Sequence, residues 1–164
     1  MKILIFSDAH GRSRGMEKAL GMHPDAELVL FLGDGVSAAR DVFKTLPARK
    51  VGICVHGNCD GPFSFGLADE EILDLEGHRI LFCHGHRYGV KGGLGGLIAA
   101  ARRKECDIAL FGHTHEPYEE YLSEYRLWLF NPGSIAEPSH GDPTFGLLTL
   151  TPDSVLFSHG TVGE

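Results

Sequence analysis

Lys2-Ile3-Leu4-Ile5-Phe6-Ser7-Asp8-Ala9-His10 opens the chain, and the change within it decides the fold. The run Lys2–Phe6 is rich in β-branched and aromatic residues and suits a buried strand, whereas Asp8 and His10 are polar and stand where that strand must end. Similar runs recur at residues 27–32, 50–55, 79–83 and 107–111. Between the early ones, residues 13–22 and 36–46 carry apolar side chains at helical intervals. The order β-α-β-α-β predicts a parallel sheet with crossover helices.

After Val55 the pattern changes. Glu70–Leu75 and residues 79–83 flank Glu76-Gly77-His78, a short polar connection suited to a hairpin, so the sheet is expected to become mixed. A glycine-rich segment, 85–96, leads into a helix expected over 97–104. Strands are expected at Pro117–Leu122, 126–130, 145–150 and 154–158, between turn signals such as Pro132-Gly133, Gly141-Asp142-Pro143 and Pro152-Asp153. The product is an α/β fold of two mixed β-sheets packed face to face with helices outside.

A chain of 164 residues, 43% of them hydrophobic, is long enough for one core and too short for two, so residues 1–164 are expected to form a single domain. The net charge of −7 repels nucleic-acid backbones and argues against long-duplex binding. Cys54, Cys59, Cys83 and Cys106 show no CxxC spacing and suit reduced thiols. The run Lys2–Phe6 is too short for a signal peptide or membrane span, so a soluble cytoplasmic protein with no membrane partner is expected.

The functional signal lies at the run ends. Five apolar runs deliver Asp8 with His10, then Asp34, Asn58, His84, and His113 with His115. Taken singly, most have ordinary explanations: Asp8-Ala9-His10 and Gly33-Asp34-Gly35 read as turns, Asn58 as an Asx-turn residue, His84 as a histidine closing a strand. Gly112-His113-Thr114-His115 leans toward function unaided, because histidines at i and i+2 on extended chain project to one side. Jointly the case is stronger. In open α/β sheets, sites form outside the carboxyl ends of strands, where these loops would converge.

The five blocks Asp8-Ala9-His10, Gly33-Asp34, Gly57-Asn58-Cys59-Asp60, His84 and Gly112-His113-Thr114-His115 resemble, in order and spacing, those of the calcineurin-like metallophosphoesterase superfamily. Cys59, His84-Gly85-His86 with Tyr88-Gly89, and Asn131-Pro132-Gly133-Ser134 are similar to features of its small YfcE-type phosphodiesterase branch. The resemblance implies a four-layer α/β/β/α sandwich and two divalent metal ions. It assigns Asp8, His10, Asp34 and His115 to one ion and Asp34, Asn58, His84 and His113 to the other, with Asp34 bridging. Mixed nitrogen and oxygen donors without thiolate suit Mn, Fe, Zn, Ni or Co better than Ca or Cu(I) and do not choose among them; Mn is the expectation adopted.

The expected activity is that of a hydrolase, a phosphodiesterase acting on a small phosphate ester by in-line attack of hydroxide held between the two ions. Asp34, Asn58 and His113 are expected to carry the chemistry, with Cys59, Asp60, His86 and Asn131 beside the metals or the substrate. Two departures from the family pattern matter. Cys59 stands where larger members have a histidine near the leaving group, which predicts modest rates and a preference for good leaving groups. Glu137-Pro138-Ser139-His140 stands where small members often carry an arginine, leaving His86 and His140 as candidate phosphate-binding cations. The alternatives are a phosphomonoesterase or nucleotide pyrophosphatase with the same site, or a non-catalytic scaffold like the small retromer subunit. The C-terminal strands offer an edge through which a homo-oligomer could form.

Overall fold

The computed structural model describes residues 1–163. Its elements run β1 (Lys2–Phe6), α1 (Arg14–Met22), β2 (Leu28–Phe31), α2 (Val36–Phe43), β3 (Val51–Cys54), β4 (Glu70–Leu75), β5 (His78–Cys83), α3 (Gly95–Arg103), β6 (Ile108–Leu110), β7 (Pro117–Leu122), β8 (Leu127–Pro132), β9 (Thr144–Thr151) and β10 (Ser154–Thr161). They form two five-stranded sheets, ordered β10-β9-β1-β2-β3 and β4-β5-β6-β8-β7. Strands β1, β2 and β3 are mutually parallel, as are β5, β6 and β8; β9 is antiparallel to both β1 and β10, and β4 and β7 are antiparallel to β5 and β8.

Alternation along β1 shows why two sheets must stack. Leu4 and Phe6 turn toward α1 and α2, whereas Ile3 and Ile5 turn toward the second sheet, and all four are fully buried. The inter-sheet layer holds Ile80, Phe82, Ile108, Leu110 and Phe130, and a third apolar layer joins Leu81, Ala109 and Leu129 to Leu97, Ala100 and Ala101 of α3. Three apolar layers separate four structural ones, which is the α/β/β/α sandwich.

Several local expectations are corrected. The hairpin turn is only Glu76-Gly77, both with positive φ (51° and 82°), as a two-residue turn matched to strand twist requires. His78 therefore starts β5, where its ring bonds to Asp107 Oδ2 at 2.6 Å and to the Thr151 carbonyl at 2.9 Å, tying the two sheets together. Helix α2 stops at Phe43 rather than residue 46, because Thr45 and Leu46 donate backwards to Val42 and Phe43 in tighter turns and Pro47 follows. Helix α3 starts at Gly95, two residues early, with Gly96 packed so near the Tyr88 carbonyl that a Cβ would sit 3.0 Å from it. Strand β3 is a sheet edge rather than a buried strand, and Val51 is 56% exposed.

Candidate metal centre

The parallel register sets the strand ends level. Phe6 pairs with Phe31, Phe31 with Cys54, and Phe82 with Leu110, so the loops that follow leave the sheets at one rim. Backbone bonds then lace those loops together: Asp8 N–H to Gly33 O at 3.0 Å, His10 N–H to Asp34 O at 2.9 Å, and Gly112 N–H to His84 O at 3.0 Å.

Close approach depends on glycine at two points. A Cβ on Gly112 would lie 1.9 Å from Ser7 Oγ, and one on Gly57 would lie 2.1 Å from Asp34 Oδ1. The expected extended i, i+2 geometry is absent. Asp8, His10, Asp34, His113 and His115 all have φ between 44° and 71°, so each chain segment turns sharply as it leaves its strand. Left-handed non-glycine residues cost about 1–3 kcal/mol each and gather where surrounding structure holds them for a purpose. As a result His113 and His115 face different neighbours rather than one.

Two groups of donor atoms result, each with atoms within 4.8 Å of one another: Asp8 with His10 and His115, and Asp34 with His84 and His113. A third, His10 with Asp34 and Cys59, links them and places Asp34 between the two. His84 Nε2 lies 3.1 Å from His113 Nδ1 and 3.2 Å from Asp34 Oδ2, and His115 Nε2 lies 3.1 Å from Asp8 Oδ1 and 3.3 Å from His10 Nε2.

These contacts fit a cation. His84 gives its Nδ1 proton to the Leu32 carbonyl at 2.8 Å and His115 gives its own to the Glu137 carbonyl at 2.6 Å, so in the neutral rings each Nε2 presents a lone pair. Asp8 is fully buried, and its Oδ1 has no hydrogen-bond partner. Lone pairs aimed at lone pairs repel unless positive charge lies between them. Donors sharing one ion at about 2.0–2.2 Å stand roughly 3.0–3.5 Å apart, as do His84 from His113 and Asp34 and His115 from Asp8 and His10, while His10 stands 3.8 Å from Asp8.

The carboxylates dominate the electrostatics of the site. Burial works against charge on Asp34, but His84 and the Cys59 N–H, 2.8 Å from its Oδ1, outweigh it and hold the carboxyl well below the usual range. Burial also opposes charge on His84, yet Asp34 and Asp8 raise it. His115 is raised mainly by Asp8. Burial and the charge of His84 push His113 down to about 4, keeping it a neutral donor.

Of the other expected residues, Asp60 is buried and accepts four backbone N–H groups, from Asp34, Gly35, Val36 and Gly57 at 2.7–2.9 Å. It binds the Asp34 loop to the Asn58 loop and caps α2 from a distance. Asn131 is fully buried and donates to Gly112 O and Thr114 Oγ1, supporting the His113–His115 turn from below. Asn58 is exposed at the rim with its amide donating to Cys59 Sγ at 3.3 Å. The His86 ring lies 5.4 Å from that of His84, its Nδ1 buried without a partner. His140 is exposed.

Sequence reasoning overlooked Ser7 and the role of Ser134. Ser7 Oγ donates to Asp8 Oδ2 at 2.6 Å, and the N–H of His113 reaches the same oxygen at 3.0 Å. Ser134 Oγ donates to the Asp8 carbonyl at 2.8 Å and accepts from Ala136 and Glu137. Only the block Asn131-Pro132-Gly133-Ser134 signalled the second.

Residues 1–153 match the calcineurin-like phosphoesterase superfamily domain. The chain belongs to that superfamily. It is 31% identical over 156 residues to the probable metallophosphoesterase YsnB of Bacillus subtilis, covering 94% of this chain and 87% of YsnB. It is 28% identical over 170 residues to the phosphodiesterase YfcE of Escherichia coli K12, covering 90% and 87%. Its structure is similar to that of Vps29 of Entamoeba histolytica complexed with zinc, with a TM-score of 0.73 at 22% identity over 98% of this chain and 99% of Vps29. That last likeness shows the fold alone. Membership places the chain among calcineurin-like phosphoesterases, a superfamily of divalent-metal proteins, and the donor groups above are its candidate ligands.

Proposed function

We propose that this superfamily member is a metal-dependent phosphodiesterase that hydrolyses a small phosphodiester to a phosphomonoester and an alcohol. The observation that carries the reading is the position of Asp34 between two donor groups, each with a histidine lone pair beside a buried carboxylate. Asp8, His10, Asp34 and His115 would hold one divalent ion and Asp34, Asn58, His84 and His113 the other; nitrogen and oxygen donors without thiolate fit Mn, which we adopt, as well as Fe, Zn, Ni or Co. Such ions, when bound, lower the pKa of water toward neutrality and neutralise charge developing on phosphate oxygens.

The chain's own residues do the rest. Asp60 keeps Asp34 and Asn58 at one distance by gripping both loops, and the Leu32 and Glu137 carbonyls orient His84 and His115. Asn58, exposed at the rim, is the residue we assign to hold a phosphate oxygen as charge develops. Asp34, Asn58 and His113 are the residues we assign to the reaction itself. The Cys59 thiol is raised by burial and by Asp34, so it is a poor proton donor for a departing alkoxide. Aryl diesters are therefore expected to be cleaved faster than alkyl ones, and equal rates would contradict this part.

We take residues 1–164 to act as one such domain in the cytoplasm, on a small ester. No helix among the described residues is long and apolar enough to cross a membrane.

The second reading is a non-catalytic scaffold of the same fold. Turnover of bis(4-nitrophenyl) phosphate and of 4-nitrophenyl phosphate, with Mn, with chelator, and in His113→Ala, separates the possibilities. Metal-dependent diester cleavage lost in the variant supports the enzyme. Metal binding without turnover of either ester supports the scaffold, and faster monoester cleavage supports a phosphomonoesterase.

A further inference from the structure

Two separate depressions flank the donor groups. One, on the His10 and Asp34 side, is bounded by Gly35, Ser37, Cys59 and Phe63. The other, a cleft of about 320 Å³, opens beside the His113–His115 turn, where Thr114 between the two histidines forms part of its lining. Its walls are the apolar side chains of Val90, Leu94, Phe111 and Tyr118, and the last two rings stand 6.1 Å apart. Two charged residues complete it, Lys91 and Glu116.

The cleft is joined to the centre through the backbone. The segment that carries Lys91 packs on the loop after His84 so closely that a Cβ at Gly85 would lie 2.9 Å from Val90 and 3.5 Å from Phe111. Lys91 is exposed and has no hydrogen bond or ion pair among the described residues. It shares the lining of the cleft with Thr114, the residue between the two histidines.

We propose that this cleft seats an aromatic arm of the phosphodiester while Lys91 pairs with the phosphate, as the cation missing from the Glu137–His140 segment. The inference rests on the phosphodiesterase reading above. The volume is at the lower end for ligand sites, enough for one ring system and not for a polymer. Lys91 matches the single negative charge of a diester. Glu116 leaves no second cation for an arm bearing another phosphate, which argues against nucleoside diphosphates and pyrophosphates.

The test uses the Mn-loaded full chain and two unreactive anions, methylphosphonate and phenylphosphonate, measured as competitive inhibitors of bis(4-nitrophenyl) phosphate cleavage and as ligands by calorimetry. The wild type is expected to bind the phenyl compound about tenfold or more tightly, since one ring leaves water. Leu94→Trp, which fills the cleft, is expected to bring the ratio close to one with methylphosphonate binding little changed. Lys91→Ala is expected to weaken both anions about tenfold and leave their ratio alone, and Lys91→Arg to restore most of that loss. Unchanged anion binding in Lys91→Ala, or a phenyl preference that survives Leu94→Trp, overturns the inference while wild-type turnover leaves the phosphodiesterase reading standing. A wild type that neither turns over the diester nor binds the phosphonates overturns both.

Discussion

Asp60→Asn changes one atom and tests whether a buried carboxylate holds the two central loops. Asp60 Oδ2 accepts the N–H groups of Asp34 and Gly57, and Oδ1 those of Gly35 and Val36. In asparagine one of these oxygens becomes an NH₂ group. Whichever way the amide turns, two buried N–H donors then face another donor. Each unsatisfied donor costs about 1–3 kcal/mol, so the variant is expected to lose about 2–6 kcal/mol, toward the lower end if the loops relax. That is a large part of the roughly 5–15 kcal/mol that holds a domain together. Urea unfolding of chelator-treated protein is the assay, because it removes any contribution from bound metal, and Asp153→Asn on an exposed turn is the control. Metal affinity should fall in parallel, since Asp34 and Asn58 lose their common anchor. A variant within about 0.5 kcal/mol of wild type would refute the argument that this carboxylate sets the loop geometry.

Gly21→Ala lies in α1 with open space around the site of the new Cβ, so it should stabilise the protein by about 0.5–1 kcal/mol in urea; a loss would show that the helix is not formed as described. Gly112→Ala should drive Ser7 from Asp8 and weaken metal binding at least tenfold, as read by equilibrium dialysis, and wild-type affinity would mean that the contact at 1.9 Å is absent. Burial opposes charge on His78, but Asp107 and the Thr151 carbonyl outweigh it and raise its pKa above 6.5. The stabilisation that this charge contributes should be full below pH 6.5 and disappear as pH rises through the higher folded value, so the gap between wild type and His78→Gln should narrow from pH 5.5 to pH 9; a gap independent of pH would count against it. His84 and His115 are raised in the absence of metal, so divalent-ion binding near neutrality should expel protons, seen as calorimetric heats that vary with the ionisation enthalpy of the buffer. Heats that do not vary would contradict the assignment of these rings as ligands.

Most of the fold was legible because its central strands are buried on both faces. Runs such as Lys2–Phe6 and the one around Phe82 must be apolar wherever they pack, and the turn residues between them are locally encoded. Sheet order is different. Nothing within residues 51–54 says that β3 has a neighbour on one side only, so its edge position emerged only from the three-dimensional arrangement. At the site, the donor residues could be read from their place after strands, but their backbone could not. Asp8, His10, Asp34, His113 and His115 adopt a conformation that aspartate and histidine rarely take, imposed by bonds between loops far apart in sequence. Asp60 could be named from its block, yet its four backbone partners come from two loops and left no pattern. Ser7 and Lys91 had no local signal, because a serine before an aspartate and a lysine before glycines are ordinary until the fold brings Ser7 onto Asp8 and Lys91 into the cleft with Thr114.

Anomalous diffraction from crystals of the protein grown with manganese, recorded at the metal's absorption edge, addresses the site most directly. Two peaks per chain are expected, one bounded by Asp8, His10 and His115 and the other by Asp34, His84 and His113. No peak, a single peak, or peaks away from these residues would contradict the account.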